Sequence, residues 1–382
     1  MGEIKKMKKQ RILLITRNLP PLVGGMERLN WHMADELSKY EKVTVIAPKG
    51  SKALKPKNID LIEVPLKPLL LFILLAFIKG FWLTLKIKPS TILAGSGLTA
   101  PLVLQLSKIN NAKSVVYLHG FDITANHKIY RLFWRSIFKK LNHVIVNSTP
   151  TKELALQAGV VESNISIVCP GVEIPTALQS SEHIEIFKKQ HDLTDKKILL
   201  SVGRLTTRKG LKEFVEQALP TIIQAEPSTM LVVVGEPPKN SLGAGIQTIE
   251  SIMQIAKQNS IESHIQFLGV ITDKQKLSTI YEAADIHVFP VRHIPDDPEG
   301  FGMVAVEAAA HGTPTVAFAT GGVVDAVRQG KSGWLVEKNN YQALAKQVVE
   351  ALKQPRHAEQ CQGFAKEFEW CSFGKQIAKQ VL

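Results

Sequence analysis

The strongest constraint on the fold is an alternation of strand-like and helix-like segments that occurs twice along the 382 residues. Residues 11–15 and 43–48 are rich in Ile, Leu and Val, and between them residues 26–37 carry apolar side chains at helical spacing. Apolar strands that alternate with helices are typical of a parallel sheet covered on both faces. Because the alternation restarts at residue 197, the sequence predicts an α/β fold of two doubly wound domains.

The boundaries of these domains are predicted from a break in the alternation. Residues 173–197 bring together a proline, a Gln-Ser-Ser stretch and clustered charges. We expect an N-terminal domain of residues 1–178, a linker of residues 179–197, a C-terminal domain of residues 198–360 and a final helical segment of residues 361–382. Ligands of open α/β sheets bind at the carboxyl ends of the strands, so a cleft between the two domains is the expected site.

The excess of positive over negative charge lies in the first half of the chain. The sequence has 47 Lys and Arg against 34 Asp and Glu, and residues 1–180 hold 25 of the basic and 11 of the acidic residues. A balance of +14 there, against −1 in the remainder, indicates an anionic partner. Aromatic residues do not interleave the basic ones as in an RNA-binding module, so an anionic membrane surface is favoured over nucleic acid.

Cysteine usage and the opening residues predict the compartment. The three cysteines, Cys169, Cys361 and Cys371, are too few for a disulfide framework and lie at no metal-ligand spacing. The basic residues 1–10 lead into a strand pattern rather than into the apolar segment of a secretory signal. A reduced, cytoplasmic protein is therefore expected.

The most apolar segment, residues 68–88, contains ten consecutive apolar residues before Lys79 and Gly80 interrupt it. A spanning helix needs about 20 apolar residues, so the segment is predicted to be too short to cross a membrane. Two interpretations stay open: a buried crossover helix, which we favour, and a helix lying in a membrane interface. In the second, lipid would meet Phe72, Phe77, Phe81 and Trp82, and headgroups would meet Lys67, Lys79, Lys86 and Lys88.

Two loops that leave predicted strands carry candidate anion-binding residues. Gly24 and Gly25 open a helix, where exposed amides and the helix dipole favour an anion. Arg204 and Lys209 follow the first strand of the second half, and a fork-shaped and a point-like cation together suit a diphosphate. Taken alone, the glycines can form a simple turn and the cations a solvated loop, so both alternatives stay open.

A third loop contains the most specific pattern, two glutamates separated by seven residues. Glu299 precedes Gly300, Phe301 and Gly302, and Glu307 lies in the next predicted helix among alanines. Gly302 would let amides at the start of this helix face a negative ligand. A glutamate in such a helix needs a hydroxyl partner if it is buried, and a ribose offers two hydroxyls. The pattern therefore indicates a nucleotide site.

Together these motifs resemble those of the retaining glycosyltransferases of family four, which have the GT-B fold. The resemblance rests on the Gly-Gly-x-Glu-Arg segment at Gly24, on the VGR…KG turn, and on the Glu-Gly-Phe-Gly segment followed by Glu307. It implies two facing Rossmann-like domains, the first binding the acceptor and the second a nucleotide-diphosphate sugar. It also implies that the final helix, in residues 361–382, packs back on the N-terminal domain.

The resemblance further implies roles for individual residues. Arg204 and Lys209 would hold the diphosphate, and Glu307 would bind the ribose hydroxyls. Glu299 would lie beside the donor sugar, and His119, after a strand of the first domain, matches a histidine that faces that sugar. The other donor contacts would come from Gly24, Gly25, Val270, Gly300, Phe301, Gly302, Met303 and Val304. The chain departs from the family pattern at three positions. Cys169 stands where an Asn usually precedes the Pro-Gly-Val turn, Arg208 precedes Lys209 where an acidic residue is common, and Asp325 stands where Glu is commoner.

The implied activity is retaining transfer of a hexosyl unit from a UDP- or GDP-sugar. No Asp-x-Asp pair follows a predicted strand, so we expect transfer without a metal or cofactor, with protein cations stabilising the diphosphate. The basic first half and its apolar helix favour a lipid-linked or membrane-associated glycan acceptor, in lipopolysaccharide, capsule or glycolipid synthesis at the inner face of the cytoplasmic membrane.

Two other functions stay open. Nucleotide-sugar 2-epimerases resemble this architecture and would convert the donor without an acceptor, but they lack the spaced glutamate pair. A catalytically idle partner subunit would bind nucleotide sugar or membrane without turnover, which the intact charged motifs disfavour.

Overall fold

A computed structural model describes residues 11–125, 134–238 and 245–382, which fall into two compact units. The first unit runs up to Gly171 and includes the C-terminal segment Trp370–Leu382, and the second unit is Val172–Glu369. Each unit contains one parallel sheet with connecting helices. The prediction of two doubly wound α/β domains is therefore confirmed.

Seven parallel strands form the sheet of the first unit, in the order β3-β2-β1-β4-β5-β6-β7. They are β1 (Arg11–Ile15), β2 (Lys42–Pro48), β3 (Asp60–Val64), β4 (Thr91–Ala94), β5 (Lys113–Leu118), β6 (His143–Val146) and β7 (Ile165–Ile167). The strand order reverses between β1 and β4, which pair directly. The loops that follow these two strands therefore lie side by side at the carboxyl edge of the sheet.

Helices cover the first sheet because its central strands are apolar on both faces, with Leu13 and Leu14 fully buried. The described helices are α1 (Gly25–Ser38), α2 (Leu69–Ile87), α3 (Ala100–Asn110), Phe121–Thr124, Arg135–Phe138, Thr149–Gln157 and Trp370–Val381. The C-terminal helix packs on α1, where the ring of Trp370 stacks on His32 at 3.8 Å. The final helix thus belongs to the first unit, but it begins at Trp370 rather than at 361.

The second unit contains a six-stranded parallel sheet in the order β10-β9-β8-β11-β12-β13. Its strands are β8 (Lys197–Val202), β9 (Thr229–Val234), β10 (Ile265–Phe267), β11 (Ile286–Phe289), β12 (Thr315–Phe318) and β13 (Gly333–Val336). Its described helices are Ser181–Gln190, Leu211–Gln217, Leu219–Ala225, Ile249–Gln258, Lys274–Ala283, Met303–Ala310, Val323–Ala326, Tyr341–Leu352 and Ala358–Ala365. Here the order reverses between β8 and β11, so the loops after these strands share one edge.

The expected linker of residues 179–197 is an integral part of the second unit. It contains the helix Ser181–Gln190, whose Phe187 is buried in a cluster with Tyr281. The amide of Gln179 also donates to Glu282 Oε2 at 2.6 Å. The helix has only one buried side and is otherwise charged and polar, so its sequence resembles a linker. The observed boundary between the units falls earlier, after Gly171.

The apolar segment forms α2, a crossover helix between β3 and β4. The interruption at Lys79 and Gly80 does not end the helix, and its 19 residues are long and apolar enough to cross a membrane by length and composition. The expectation that the segment is too short is therefore wrong. The favoured interpretation as a buried helix holds for one stripe alone, because only Phe72, Ala76, Gly80 and Thr84 of these 19 residues are buried.

Candidate functional site

The loops after β8 and β11 bring together residues from two separate motifs of the sequence. Lys209 Nζ lies 2.8 Å from Glu299 Oε2, and Arg208 Nη1 lies 2.5 Å from the same oxygen. Arg208 Nε also lies 3.3 Å from the carboxylate of Asp297. Two cations therefore converge on one carboxylate oxygen at the point where the strand order reverses.

Burial makes this charge cluster electrostatically strong. Only 11 % of the Glu299 side chain is exposed. Burial opposes its ionisation, but the charges of Arg208 and Lys209 outweigh that effect and lower the pKa of Glu299 to about 2. Burial is also the main cause that lowers the pKa of Lys209, and the neighbouring arginines add to it while Glu299 opposes it. Glu299 thus gains from two cations, whereas Lys209 has Glu299 alone as an ion-pair partner among the described residues and Arg208 has Glu299 and Asp297.

Backbone contacts hold the two loops of the cluster in place. The amide of Arg292, after β11, donates to the carbonyl of Arg208 at 2.9 Å. Gly210 has φ +69°, and a Cβ at this position would lie 2.2 Å from the carbonyl oxygen of Pro290. Beneath the loops, Lys209 Nζ lies 4.7 Å from the centre of the Phe289 ring. The cluster is thus fixed by packing that only glycine at position 210 permits.

His287 extends the effect of this charge into the sheet. It is fully buried on β11, and burial together with the charge of Lys209 lowers its pKa to about 3. Its Nδ1 lies 3.0 Å from Thr315 Oγ1. The ring is therefore neutral at physiological pH and adds no further positive charge beside Lys209.

Arg204 differs from the other cations at this edge. It follows β8, and its side chain is exposed. Within residues 11–125, 134–238 and 245–382, it makes neither an ion pair nor a side-chain hydrogen bond. Its five N–H donors are therefore available to an anion, as the diphosphate prediction requires.

Glu307 lies in the helix Met303–Ala310, about one turn from its start. That helix begins after Gly302, whose φ of +99° favours glycine and whose Cβ would lie 2.9 Å from Phe289. The hydroxyl of Tyr281 donates to Glu307 Oε2 at 3.2 Å. The hydroxyl partner argued for from the sequence thus exists within the protein, and a carboxylate retains capacity for further donors.

The remaining predicted residues of the second unit lie in two loops at the same edge. Val270 follows β10 and is more than half exposed, and the carbonyl before it, of Gly269, accepts from Gly235 at 2.8 Å. Phe301 is buried against Phe368, so only its backbone is offered to a ligand. Gly300, Met303 and Val304 belong to the same loop and the first turn of the following helix.

In the first unit, Gly24 and Gly25 open α1 after β1, as predicted. A Cβ on Gly24 would lie 2.4 Å from Glu27 Oε2, so Gly24 leaves room for that carboxylate. Asn18 Nδ2 in turn donates to Glu27 Oε1 at 2.8 Å. The start of this helix therefore already faces an acidic side chain of the protein.

His119 follows β5 at the carboxyl edge of the first sheet and is buried. Its Nε2 lies 3.0 Å from the carbonyl oxygen of Gly95, which follows β4. Because a carbonyl only accepts, Nε2 carries the proton and Nδ1 is left as an acceptor. The backbone amides of His119 and Gly97 both donate to Asp122 Oδ2.

Several supporting residues were missed from the sequence. The sequence indicates Arg208 only as a departure from the family pattern, and it predicts a role at the site neither for its partner Asp297 nor for Tyr281. Gly321 and Gly322 were passed over, although the amide of Gly322 donates to the carbonyl of Glu299 at 2.8 Å and a Cβ there would meet Gly300. A glycine pair after β12 was the available signal.

The part of the chain that the structure describes also contains a cavity, which lies apart from this cluster. This cavity, of about 270 Å³, opens near Lys197 and Asp285, at the amino edge of the second sheet and so opposite the cluster. No group of three His, Cys, Asp or Glu side chains that could hold a metal occurs among the residues described.

Comparison with known proteins identifies the family. The family described as "Glycosyltransferase Family 4" matches residues 23–174, and "Glycosyl transferases group 1" matches residues 183–368. The chain is 26% identical over 356 residues to a GDP-mannose-dependent alpha-(1-6)-phosphatidylinositol monomannoside mannosyltransferase from Mycolicibacterium smegmatis, covering 91% of this chain and 90% of that protein.

Solved structures show the same fold. HepE from Anabaena, in complex with UDP, has a TM-score of 0.80 at 21% identity, over 97% of this chain and 99% of that one. Sucrose-phosphate synthase from Thermosynechococcus elongatus has a TM-score of 0.77 at 22% identity, over 97% and 98% of the two chains. With both family matches and two parallel-sheet units, the chain belongs to glycosyltransferase family four and is a nucleotide-sugar-dependent glycosyltransferase with the GT-B fold.

Proposed function

We propose that this glycosyltransferase transfers a hexosyl unit, with retention and without a metal ion, to a lipid-linked glycan at the inner face of the cytoplasmic membrane. The observation that carries the proposal is the cluster of Arg204, Arg208 and Lys209 at the reversal of the second sheet.

The cations would bind the diphosphate of the donor. Lys209 has three N–H donors, of which Glu299 takes one in the structure, so two are left for phosphate oxygens. Arg204 is exposed and offers a planar fork that matches a phosphate. Amides at the start of the helix Met303–Ala310 would add dipoles of the right sign.

The nucleoside and the sugar would be held by the two glutamates. Glu307, oriented by the Tyr281 hydroxyl, would accept from the ribose hydroxyls, and the backbone near Val270 would meet the base. Glu299 Oε1 makes no hydrogen bond within the described part of the chain, whereas Oε2 is fixed by two cations. We assign Oε1 to a hydroxyl of the donor sugar.

The chemistry follows from where charge develops. Breaking the bond between the anomeric carbon and the diphosphate oxygen leaves positive character on the sugar and negative charge on the diphosphate. Fixed cations stabilise that charge, and each well-placed donor is worth roughly 3 kcal/mol by analogy with oxyanion sites. Nδ1 of His119, in the first unit, would accept from a hydroxyl of the reacting sugar, with Nε2 held by Gly95.

The donor and acceptor classes are proposed from the relatives. The Mycolicibacterium smegmatis relative is named for GDP-mannose and for a phosphatidylinositol monomannoside acceptor. HepE was solved with UDP. GDP-mannose with a phosphoinositide-type glycolipid is therefore the first combination to test, with UDP-sugars and lipopolysaccharide precursors next. A lipid acceptor also fits the excess of basic residues in residues 1–180.

A nucleotide-release assay over GDP- and UDP-sugars, with and without membrane lipid extract, tests the proposal. We expect release that depends on the lipid, persists in EDTA, and yields a product whose anomeric configuration by NMR matches the donor. Donor conversion without an acceptor would instead indicate an epimerase, and binding of nucleotide without turnover an idle subunit. Loss of activity in EDTA that Mg²⁺ restores would refute metal independence.

A further inference from the structure

Helix α2 exposes a continuous apolar face that no other described element covers. Its buried stripe, Phe72, Ala76, Gly80 and Thr84, packs on the sheet. Leu70, Leu74, Ile78 and Trp82 each lie two residues away from this stripe, which places them about 200° around the helix, on the opposite side. We define the α2 apolar face as Leu70, Leu71, Leu74, Ile78, Phe81, Trp82 and Leu85, all of which are exposed.

The size of this face sets it apart from ordinary surface residues. Leu70 is 80% exposed, Trp82 65% and Leu74 55%. At a rise of about 1.5 Å per residue, the face runs about 22 Å along the helix from Leu70 to Leu85. Single exposed apolar residues need no explanation, but a contiguous patch of this kind marks an interaction site.

The packing of α2 on its own domain determines which side of the helix can contact a partner. A Cβ on Gly80 would lie 2.6 Å from Leu106 Cδ1 of α3, so glycine lets the helix approach the core closely. Lys79 Nζ donates to the carbonyl of Glu63 at the end of β3, at 2.7 Å. The helix is held on its domain along one side, which suits insertion to the depth of one helix face rather than spanning.

Charge decides between a lipid surface and a protein partner. Residues 64–88 contain no acidic residue, and Lys67, Lys86 and Lys88 lie at the two ends of the helix. If two copies of the chain paired through this face in antiparallel fashion, the lysines at each end would meet lysines of the other copy. Anionic headgroups above an acyl layer instead match both the lysines and the apolar face.

We propose that the α2 apolar face inserts into the interfacial layer of an anionic bilayer and docks the first unit there. The membrane acceptor of the proposed function makes this docking useful, but the assignment of the surface rests on α2 itself. The earlier interfacial interpretation requires one change, because Phe72 is fully buried on the domain side and Leu70, Leu74 and Ile78 take its place.

Vesicle binding by the full chain tests the assignment. We expect sedimentation with phosphatidylcholine vesicles containing phosphatidylglycerol, and weaker binding to phosphatidylcholine alone. Leu74→Glu removes one apolar contact with the acyl layer and adds a negative charge that the anionic headgroups repel. Binding to the vesicles should therefore fall about tenfold or more. The control is Val161→Glu, which changes a residue of the same unit that is 61% exposed and lies off α2, and which should bind as the parent chain does.

Fluorescence gives a second readout that depends on position. Brominated lipids should quench the parent chain, and Trp82→Phe should lose most of this quenching while still binding vesicles, because the substitution stays apolar. Circular dichroism of every variant checks that the fold persists. Equal vesicle binding by Leu74→Glu and the parent chain, or quenching unchanged in Trp82→Phe, would overturn the proposal.

Two further outcomes separate this proposal from others. If the parent chain ignores vesicles but is a dimer that Leu74→Glu dissociates, the face is an interface between copies and the proposal fails. If vesicle binding is as expected but no sugar donor is consumed, the proposed function fails and the docking surface stands. Leu74→Glu should still bind a GDP- or UDP-sugar in the absence of lipid, since α2 belongs to the first unit and the charge cluster to the second.

Discussion

Replacing Glu299 with glutamine tests whether the charge cluster has the strength that the structure gives it. The substitution keeps the shape of the side chain but removes the one negative charge that faces both Arg208 and Lys209. The pKa of Glu299 is lowered from an ordinary value of 4.5 to about 2. A difference of this size corresponds to roughly 3 kcal/mol of folding free energy.

The direction of this pKa shift determines how the free energy of unfolding changes with pH. Because the carboxylate is ionised more readily in the folded state, its contribution is fully present above about pH 4.5 and is lost as the pH falls toward 2. At pH 7 we therefore expect Glu299→Gln to lower the free energy of unfolding by about 3 kcal/mol. The difference between the two proteins should shrink steadily between pH 4.5 and pH 2.

Urea unfolding followed by circular dichroism at pH 7, 5, 4 and 3 measures this difference. The control is Glu367→Gln, which removes an ion pair with Arg328 whose side chains are 43% and 51% exposed. It should shift stability by no more than about 0.5 kcal/mol. If Glu299→Gln unfolds like the parent chain at pH 7, or if the difference is the same at pH 3, the electrostatic reasoning is refuted.

Four further substitutions probe the rest of the site. Lys209→Ala and Glu307→Ala should each reduce kcat/KM by at least about 100-fold in the nucleotide-release assay. Circular dichroism should show that both variants keep the fold. A kcat/KM equal to that of the parent chain in either variant would contradict the assignment. Tyr281→Phe removes the hydrogen bond to Glu307, so KM for the donor should rise about fivefold with kcat little changed; an unaltered KM would argue against this orienting role. Gly302→Ala forces a φ of +99° on a residue with a Cβ, so we expect the free energy of unfolding to fall by about 1–3 kcal/mol. A calorimetric Tm equal to that of the parent chain would contradict this expectation.

The parallel sheets were predictable because long runs of Val, Ile and Leu fix buried strands without any knowledge of their partners. The same logic failed for the segment of residues 179–197, where the helix Ser181–Gln190 buries few side chains and presents mostly charges to solvent. The length of α2 is also underestimated from the sequence, because Lys79 and Gly80 resemble interruptions of the apolar run. In the structure, Lys79 bonds a nearby carbonyl and Gly80 packs on α3, so both residues fit within one helix.

At the candidate site, the sequence supplied the charged residues but not their pairings. Lys209 and Glu299 are 90 positions apart, and only the order β8-β11 in the sheet makes their loops neighbours. The partner of Arg208 could not be inferred either, since Asp297 follows β11 and only the pairing of β11 with β8 brings the two loops together. Tyr281 was hidden for another reason: a tyrosine in an amphipathic helix is ordinarily a core residue, and only its hydroxyl reveals the contact with Glu307.

Arg208 determines how the site divides its charge. With an acidic residue there, Lys209 would face two carboxylates and would be largely neutralised before any diphosphate arrived. With Arg208, the carboxylates of Asp297 and Glu299 are matched by Arg208 and Lys209, and the exposed Arg204 adds one positive charge in excess. The cluster therefore stays attractive to an anion while Glu299 remains ionised and oriented. Because Arg208 holds Glu299 Oε2, Lys209 is not needed as its sole counter-ion and can turn its other donors toward phosphate.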